Sequence, residues 1–312
     1  MKPFQPISVS CRRSISLCVL IVCGLALAAE ARAPKRSSLD AARQKINDLI
    51  AKSGAETVAV AFHDVAGGRE LLINADAGFH AASTMKVPVM MEIYRQAAAG
   101  RLALDERVPV KNDFLSIADG SHFSVSPDSD SEPSLYKRVG ETATVRELMR
   151  LMVIASSNLA TDILIERVTP PRVMALMRGL GARNIRVLRG VEDGKAFERG
   201  LNNTTTARDL MILLRRIGEG RGVSRQASDE MIRLMLDQQF NESIPAGLPK
   251  DARVAHKTGS ITAINHDAAL VFLPNRKPYV LVVLTGGLND EARAHRLIAD
   301  ISRVIYESVS GP

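Results

Sequence analysis

The sequence predicts an α+β fold of three layers: an antiparallel sheet flanked by helices, with an all-helical lobe inserted between the two halves of the sheet. Two observations lead there. Strand patterns, with apolar residues alternating at period two, occur at both ends of the chain, whereas helical periodicity fills the middle. Amphipathic helices then stand outermost at each end, where they can cover one face of a sheet. On this reading the sheet lobe takes residues of about 34–80 and 250–312, and the helical lobe about 81–249. A cleft between the two is a favoured place for a site.

Taken in order, Ser37 to Lys52 reads as an amphipathic helix with Leu39, Ala42, Ile46, Leu49 and Ile50 on one face. Glu56 to Asp64 alternates as a strand, Gly67-Gly68 signals a hairpin, and Leu71-Leu72-Ile73 is the return strand. A helix opens at Ser83 and runs to about Ala99, where Gly100 ends it. Asp113 to Gly140 is rich in Ser, Asp and Pro and reads as a long surface loop. Helices follow at Thr144–Ile154, Leu159–Val168, from Pro170-Pro171 to Gly181, from Thr204-Thr205-Thr206 to Leu214, and at Ser228–Leu236, with an irregular stretch from Asn184 to Asn203. Strands return at Arg253–Ser260, Asp267–Leu273 and Tyr279–Thr285, the last two joined by a Pro274-Asn275 turn. Asn289 to Ile305 is the closing helix.

Composition narrows the class. With 312 residues, 46% hydrophobic and 24% charged, the chain suits one large domain or two modest ones. Lys2, Arg12 and Arg13, the apolar run Ile15–Ala29 and the small-x-small site Ala31-Arg32-Ala33 read as a secretory signal peptide cleaved after Ala33. The expected location is therefore periplasmic or secreted; the apolar run is short for an uncleaved membrane anchor. Cys11, Cys18 and Cys23 all fall in this leader, so the mature chain has no disulfide, no cysteine nucleophile and no thiolate metal site. The leader carries a net charge of +3, which leaves about +4 of the whole chain's +7. That excess suits an anionic substrate or an envelope surface. Aromatic content of 4% with no Trp leaves few platforms for nucleic acid, and no nucleic-acid partner is expected. The six histidines show no paired ligand spacing, so neither metal nor other cofactor is expected. No repeat or coiled-coil pattern appears, and the expected state is a monomer.

The chemistry centres on Ser83-Thr84-Met85-Lys86. Residues i and i+3 share a helix face, so the lysine amine is within reach of the serine hydroxyl. A helix N-terminus stabilises a forming alkoxide, and a desolvated lysine beside it loses its proton readily. The pattern is a common one: Ser134 and Lys137 repeat it without an apolar helix behind them, and that copy reads as coincidence. Two further short motifs follow, Ser156-x-Asn158 and Lys257-Thr258-Gly259. Alone, the first reads as a helix cap or turn and the second as a strand end.

Together, in this order and behind a leader, the three motifs resemble the active-site serine penicillin-recognising enzymes, specifically the class A β-lactamases and related serine hydrolases. The resemblance covers nearly all of the mature chain and implies a β-lactamase/transpeptidase-like fold. It implies acyl transfer with Ser83 as nucleophile and Lys86 as its activator. Ser156 then passes a proton to the departing lactam nitrogen, and Asn158 binds the substrate's side-chain amide. Lys257, Thr258 and Ser260 meet the substrate carboxylate, Gly259 allows close backbone approach, and the N–H groups of Ser83 and Ser260 form the oxyanion hole. Glu192, in the loop Arg189–Ala196, is the candidate that activates water for deacylation, with Asp193 as its competitor.

The sequence departs from that family at several points. Ala196 stands where an Asn is usual, the loop is shorter, and Asn203 replaces the closing acid that normally pairs with the loop arginine. Ser157 stands where class A enzymes carry Asp. Asn265-His266-Asp267 stands where an arginine often assists carboxylate binding. The expected activity is β-lactam hydrolysis. A D-alanyl-D-alanine peptidase or other penicillin-binding hydrolase acting on cell-wall peptides is the alternative, and a β-lactam sensor that stays acylated is a third. The expected partner is a small β-lactam or cell-wall peptide, with no stable membrane insertion after processing.

Overall fold

Helix α1 (Ser38–Ser53) leads into strand β1 (Thr57–Asp64), and the chain returns as β2 (Glu70–Ile73). Gly68 makes this hairpin possible by taking φ of +68°. The computed structural model describes Met1, Pro3 and residues 38–310; the predicted leader otherwise lies outside the described residues. After β3 (Phe79–His80) comes a 3-10 turn, Ala82–Met85, and then α2 (Lys86–Ala98). The segment that follows holds β4 (Arg107–Pro109), β5 (Phe114–Leu115), β6 (His122–Phe123), a 3-10 turn at Pro133–Arg138, and β7 (Thr142–Thr144). Helices α3 (Val145–Ile154), α4 (Asn158–Val168), α5 (Pro170–Leu180) and the short α6 (Gly194–Glu198) precede β8 (Thr204–Thr205), α7 (Ala207–Gly218) and α8 (Arg225–Leu236). Strands β9 (Arg253–Ile261), β10 (Ile264–Phe272) and β11 (Tyr279–Gly286) lead to the last helix, α9 (Glu291–Ser310).

The N- and C-terminal strands join in one five-stranded antiparallel sheet of order β2-β1-β11-β10-β9. Alternation along β1 divides the core. Val58, Val60 and Phe62 face a cluster with Ile46 of α1 and Ile298 and Ile301 of α9. Ala59 and Ala61 face the opposite cluster, with Leu210 and Leu214 of α7. Each large apolar side chain buried this way contributes roughly 1.5–3 kcal/mol. Helix α2 is buried nearly all round, and α3, α4, α5 and α8 pack against it. This is the pattern of a helix at the centre of a core. Its one buried acid, Glu92, is held by Arg95 at 2.6 Å through both oxygens and by Gln96 at 2.8 Å.

Two expectations change. The stretch 113–140 is not simply a surface loop: β5 pairs with β6, and Phe114, Val125 and Leu135 are buried with Asp130. Its Ser/Asp/Pro composition marks local turns that are anchored inward by a few apolar residues. The helix read as opening at Ser83 begins as a 3-10 turn, and regular α-helix starts at Lys86. The second Ser-x-x-Lys copy lies in the exposed 3-10 turn Pro133–Arg138, where Ser134 Oγ donates to Glu132.

The edge strand β9 is backed by α8 on one side. On the outer face of the sheet the 3-10 turn Ile244–Gly247 packs on α9, where a Cβ at Gly247 would fall 2.0 Å from the Ala299 carbonyl oxygen. Gly247→Ala is therefore expected to lower the unfolding free energy by about 1–3 kcal/mol. Denaturant midpoints of the two proteins measure this, and an unchanged midpoint would mean that this packing is not as tight as the geometry requires.

Candidate active site

Three segments meet at one cleft of about 730 Å³. The first is the turn before α2, the second the turn before α4, and the third the free edge of the sheet at β9. The residues lining the cleft include Ser83, Ser156, Asn158, Glu192, Thr258, Gly259 and Ser260.

Ser83 sits half-buried in the 3-10 turn, one residue after Ala82, whose φ is +44°. A non-glycine residue there is strained and must be held by its surroundings. The Ala82 N–H donates to His80 Nδ1 at 3.1 Å, and Ala81 N–H donates to the Asn203 carbonyl at 2.8 Å. His266 Nε2 in turn donates to the His80 carbonyl at 3.0 Å. Burial lowers the His266 pKa to about 4, so its ring is neutral; Nδ1 lies 2.8 Å from the Asn265 carbonyl and 3.3 Å from Thr285 N. His80 itself is held below the usual histidine range by burial and by Arg189.

Lys86 and Lys257 are both fully buried and converge on one atom. Lys86 Nζ donates to Ser156 Oγ at 3.2 Å, to the Ser156 carbonyl at 2.7 Å and to Asn158 Oδ1 at 3.0 Å. Lys257 Nζ donates to the same Ser156 Oγ at 3.0 Å and to the Thr258 carbonyl at 2.9 Å. Among the described residues no hydrogen bond joins Lys86 to Ser83 Oγ in this conformer. The amine predicted to reach Ser83 is instead spent on Ser156 and Asn158. Burial brings the Lys86 pKa down to about 8, against the pull of Asp130, Asp162 and Glu192. Burial, reinforced by the Lys86 charge, puts Lys257 well below the ordinary lysine range, with Asp267 opposing. Two ammonium groups sharing a desolvated hydroxyl resist being charged together.

Ser156 has φ of +59°, a second strained non-glycine residue in the cleft. The turn it opens is gripped by Asp130, whose Oδ2 accepts Asn158 N–H at 2.8 Å, Leu159 N–H at 2.9 Å and Ser157 Oγ–H at 3.3 Å. Ser157 caps α4 through the Ala160 N–H.

Glu192, at φ +59°, is the third strained residue. Its carboxylate accepts Asn158 Nδ2 at 2.8 Å and Ser129 Oγ at 2.9 Å on Oε1, and Ser126 N–H at 3.0 Å on Oε2. Asp193 points elsewhere: it accepts from Ser116 Oγ at 2.7 Å, Ile117 N–H at 3.0 Å and Ala196 N–H at 3.1 Å, and so caps α6. Ala196 is fully buried. Among the described residues Arg189 forms no ion pair across the loop. Asn203 bonds the backbone of Leu188 and Arg189, while the Arg189 guanidinium is taken by the Gly190 and Leu201 carbonyls and by Asn202. Buried Asp162 of α4 accepts Val191 N–H at 2.6 Å, and its Oδ2 has no hydrogen-bond partner among the described residues. Burial raises its pKa well above the ordinary range. The loop can approach it only because residue 190 is glycine; a Cβ there would fall 2.3 Å from Asp162 Oδ1.

At the sheet edge, Gly259 lies against the Ala82–Met85 turn, where a Cβ would fall 2.9 Å from Ser83 N and 3.0 Å from Thr84 N. Ser260 Oγ donates to Glu291 Oε1 at 3.3 Å. Of the three residues standing in place of an arginine, Asn265 and His266 line the cleft. Asp267 is turned to the far face, where it accepts from buried His256 at 2.9 Å and from Ile244 N–H at 3.0 Å. The sequence reading missed Asp130 and Asp162, and named Asn203 and His266 only as departures from the family pattern. Each acts through backbone groups distant in sequence, and no local spacing marks them.

Comparison with known proteins agrees with this arrangement. A family model described as the β-lactamase enzyme family matches residues 41–309. A β-lactamase of Streptomyces albus G is 28% identical over 277 residues, covering 87% of this chain and 86% of its own. β-Lactamase L2 of Stenotrophomonas maltophilia is 29% identical over 298 residues, covering 91% and 93%. Among solved structures, PBP-A superposes with a TM-score of 0.76 at 27% identity, over 89% of this chain and 99% of that one.

The close approach of β9 to the nucleophile turn gives a direct test. Gly259→Ala forces the strand edge and Ser83 apart by a few tenths of an ångström or more, with little effect on the core. Misplacement of this order costs up to about 100-fold in a positioned reaction. The variant is expected to keep the wild-type melting temperature and to lose at least ~10-fold in the rate of labelling by a fluorescent penicillin; equal labelling rates would show that the contact does not set the geometry of Ser83.

Proposed function

The chain belongs to the β-lactamase enzyme family, and we propose that it is a serine β-lactamase that opens the lactam amide through an acyl-enzyme on Ser83. The observation that carries this reading is the meeting of Lys86 and Lys257 on Ser156 Oγ, at 3.2 and 3.0 Å, in the floor of the cleft that Ser83 lines. Few purposes other than proton movement beside an anionic substrate account for two buried lysines on one hydroxyl.

In the proposed reaction Ser83 Oγ attacks the lactam carbonyl carbon and its proton passes to the unprotonated Lys86 amine. Backbone N–H groups at Ser83 and Ser260 stabilise the oxyanion. The C–N bond breaks as Ser156 gives its proton to the lactam nitrogen and takes another from Lys86, 3.2 Å away. The substrate carboxylate lies by Lys257, Thr258 and Ser260, and its charge draws a proton onto Lys257. Asn158 meets the substrate's side-chain amide. Water then adds to the ester as Glu192 takes its proton, and the ester C–O bond breaks as that proton passes on to Ser83 Oγ, which regenerates both the serine hydroxyl and the Glu192 carboxylate. Export to the periplasm or medium, with cleavage after Ala33, belongs to the same proposal, as does action as a monomer.

A second reading, a penicillin-binding hydrolase of cell-wall peptides, is favoured by one observation. Glu192 is already bonded by Asn158, Ser129 and Ser126, and Ala196 offers no side-chain amide to hold a water beside it. Likeness to PBP-A points the same way, and a mutant of that protein has been solved as an acyl-enzyme complex with penicillin G.

Steady-state turnover of a chromogenic cephalosporin separates the readings. Wild type is expected to turn over many times, and Glu192→Gln to acylate normally but deacylate about 10²–10⁴-fold more slowly. A single stoichiometric burst by wild type would favour the second reading. Equal turnover by both proteins would remove Glu192 from the mechanism.

The pH dependence follows from Lys86. As a base it must be unprotonated, and its pKa of about 8 means that the active fraction grows as pH rises towards that value. Acylation kcat/KM is expected to climb with pH and level off above about 8. A profile flat across that value would exclude Lys86 as the base.

A further inference from the structure

We propose that Asp130 is the positioning residue of the Ser156–Asn158 turn, holding Ser156 and Asn158 where the substrate meets them; this rests on the acyl-enzyme reading above. The turn needs such a support. Ser156 occupies a left-handed conformation at φ +59°, which persists only when neighbouring contacts impose it. From below, Lys86 Nζ binds the Ser156 carbonyl, Ser156 Oγ and Asn158 Oδ1. Lys257 and Glu192 add one side-chain bond each, to Ser156 Oγ and Asn158 Nδ2, while the backbone N–H groups of the turn are taken by the carboxylate of Asp130. It reaches in from the Ser/Asp/Pro segment, is 7% exposed, and places Oδ2 against Asn158 N–H, Leu159 N–H and Ser157 Oγ–H.

Ordinary helix capping does not account for this carboxylate. Ser157 already caps α4 through Ala160 N–H at 3.2 Å, and Asp130 takes the two preceding N–H groups, one of them belonging to Asn158 itself. The carboxylate is fixed in its turn: Tyr136 OH donates to Oδ2 at 3.0 Å and Glu132 N–H to Oδ1 at 3.0 Å. Among the described residues no lysine or arginine forms an ion pair with it, so its charge is answered by the positive end of α4 and, at longer range, by Lys86. A hydrogen-bonded carboxylate at a helix N-terminus both orders the turn and favours a proton on Lys86 between cycles.

Ser157 Oγ lies 3.3 Å from Asp130 Oδ2, so a carboxylate grown from position 157 would occupy much the same space. This gives the proposal a rescue test. Asp130→Ala is expected to slow acylation by a fluorescent penicillin about 10- to 100-fold, the usual loss for removing a hydrogen-bonded charge, with a smaller change in reversible substrate binding. Asp130→Asn, which keeps the shape and part of the bonding, is expected to fall between. Adding Ser157→Asp to Asp130→Ala should recover most of the rate. All are assayed well below their melting temperatures, with folding checked by circular dichroism. A folded Asp130→Ala that acylates like wild type overturns the proposal, and so does a slow one that Ser157→Asp leaves slow. If wild type itself is not acylated, the functional reading fails but Asp130 can still be judged by hydrogen exchange. Faster exchange of the Asn158 and Leu159 amides in Asp130→Ala supports its positioning role, and unchanged protection overturns it.

Discussion

Burying two lysines against one hydroxyl is the constraint on which the rest of the structure depends. Lys86 and Lys257 are both fully enclosed, and each would lose its charge if only burial acted on it. Acids set around the cleft oppose that loss: Asp130, Asp162 and Glu192 act on Lys86, and Asp267 acts on Lys257 from the other face of the sheet. The result for Lys86 is a poised amine rather than a fixed cation. Asp162 is drawn the opposite way by its own burial, towards the neutral acid, and so is a weaker counter-charge than its proximity suggests.

Holding such a site open requires strain, and the strain is local. Ala82, Ser156 and Glu192 all have positive φ, all line the cleft, and each comes from a different segment. Each is held by side-chain bonds: Ala82 by neighbouring His80, which distant His266 of β10 fixes in turn; Ser156 by Lys86; and Glu192 by Asn158 and the 126–129 segment. Backbone in these conformations costs on the order of 1–3 kcal/mol per residue and survives only where packing over-determines it. The buried α2 and the edge strand β9, pressed against Ser83 through Gly259, supply that packing.

The architecture was legible because it rests on local patterns: alternation gave β1, a short apolar run gave β11, helical periodicity gave α1, α3 and α9, and the order of elements gave a sheet closed by both termini. The three motifs were legible for a related reason, since each sits within four residues and carries its own context. What stayed hidden depends on partners far apart in sequence. Asp130 lies in a run that reads as solvent-exposed, yet a carboxylate buried against the start of α4 is as firmly placed as any core residue. Its position gives the Ser157 departure a physical account. The turn does have an acid beside it, delivered from another segment. Asn203 does likewise for the loop, closing it by amide-to-backbone bonds in place of an ion pair. The weak β5–β6 pairing and the 3-10 start of the nucleophile turn escape periodicity because they are shorter than its period.

If the proposed reaction holds, Glu192 is where the geometry bears most closely on the difference between forming an acyl-enzyme and releasing it. A carboxylate offers about four lone-pair directions. Asn158 Nδ2 and Ser129 Oγ take the two on Oε1, and Ser126 N–H takes one on Oε2. One direction on Oε2 is left, and accepting a proton from water needs only one. The same three bonds keep the side chain from swinging, so a water must come to the carboxylate rather than the reverse. With Ala196 offering no amide to anchor that water, its order depends on the walls of the cleft alone. On the proposed reading the segment 126–129 helps set deacylation through the acid it immobilises, while Lys86 and Ser156 serve acylation.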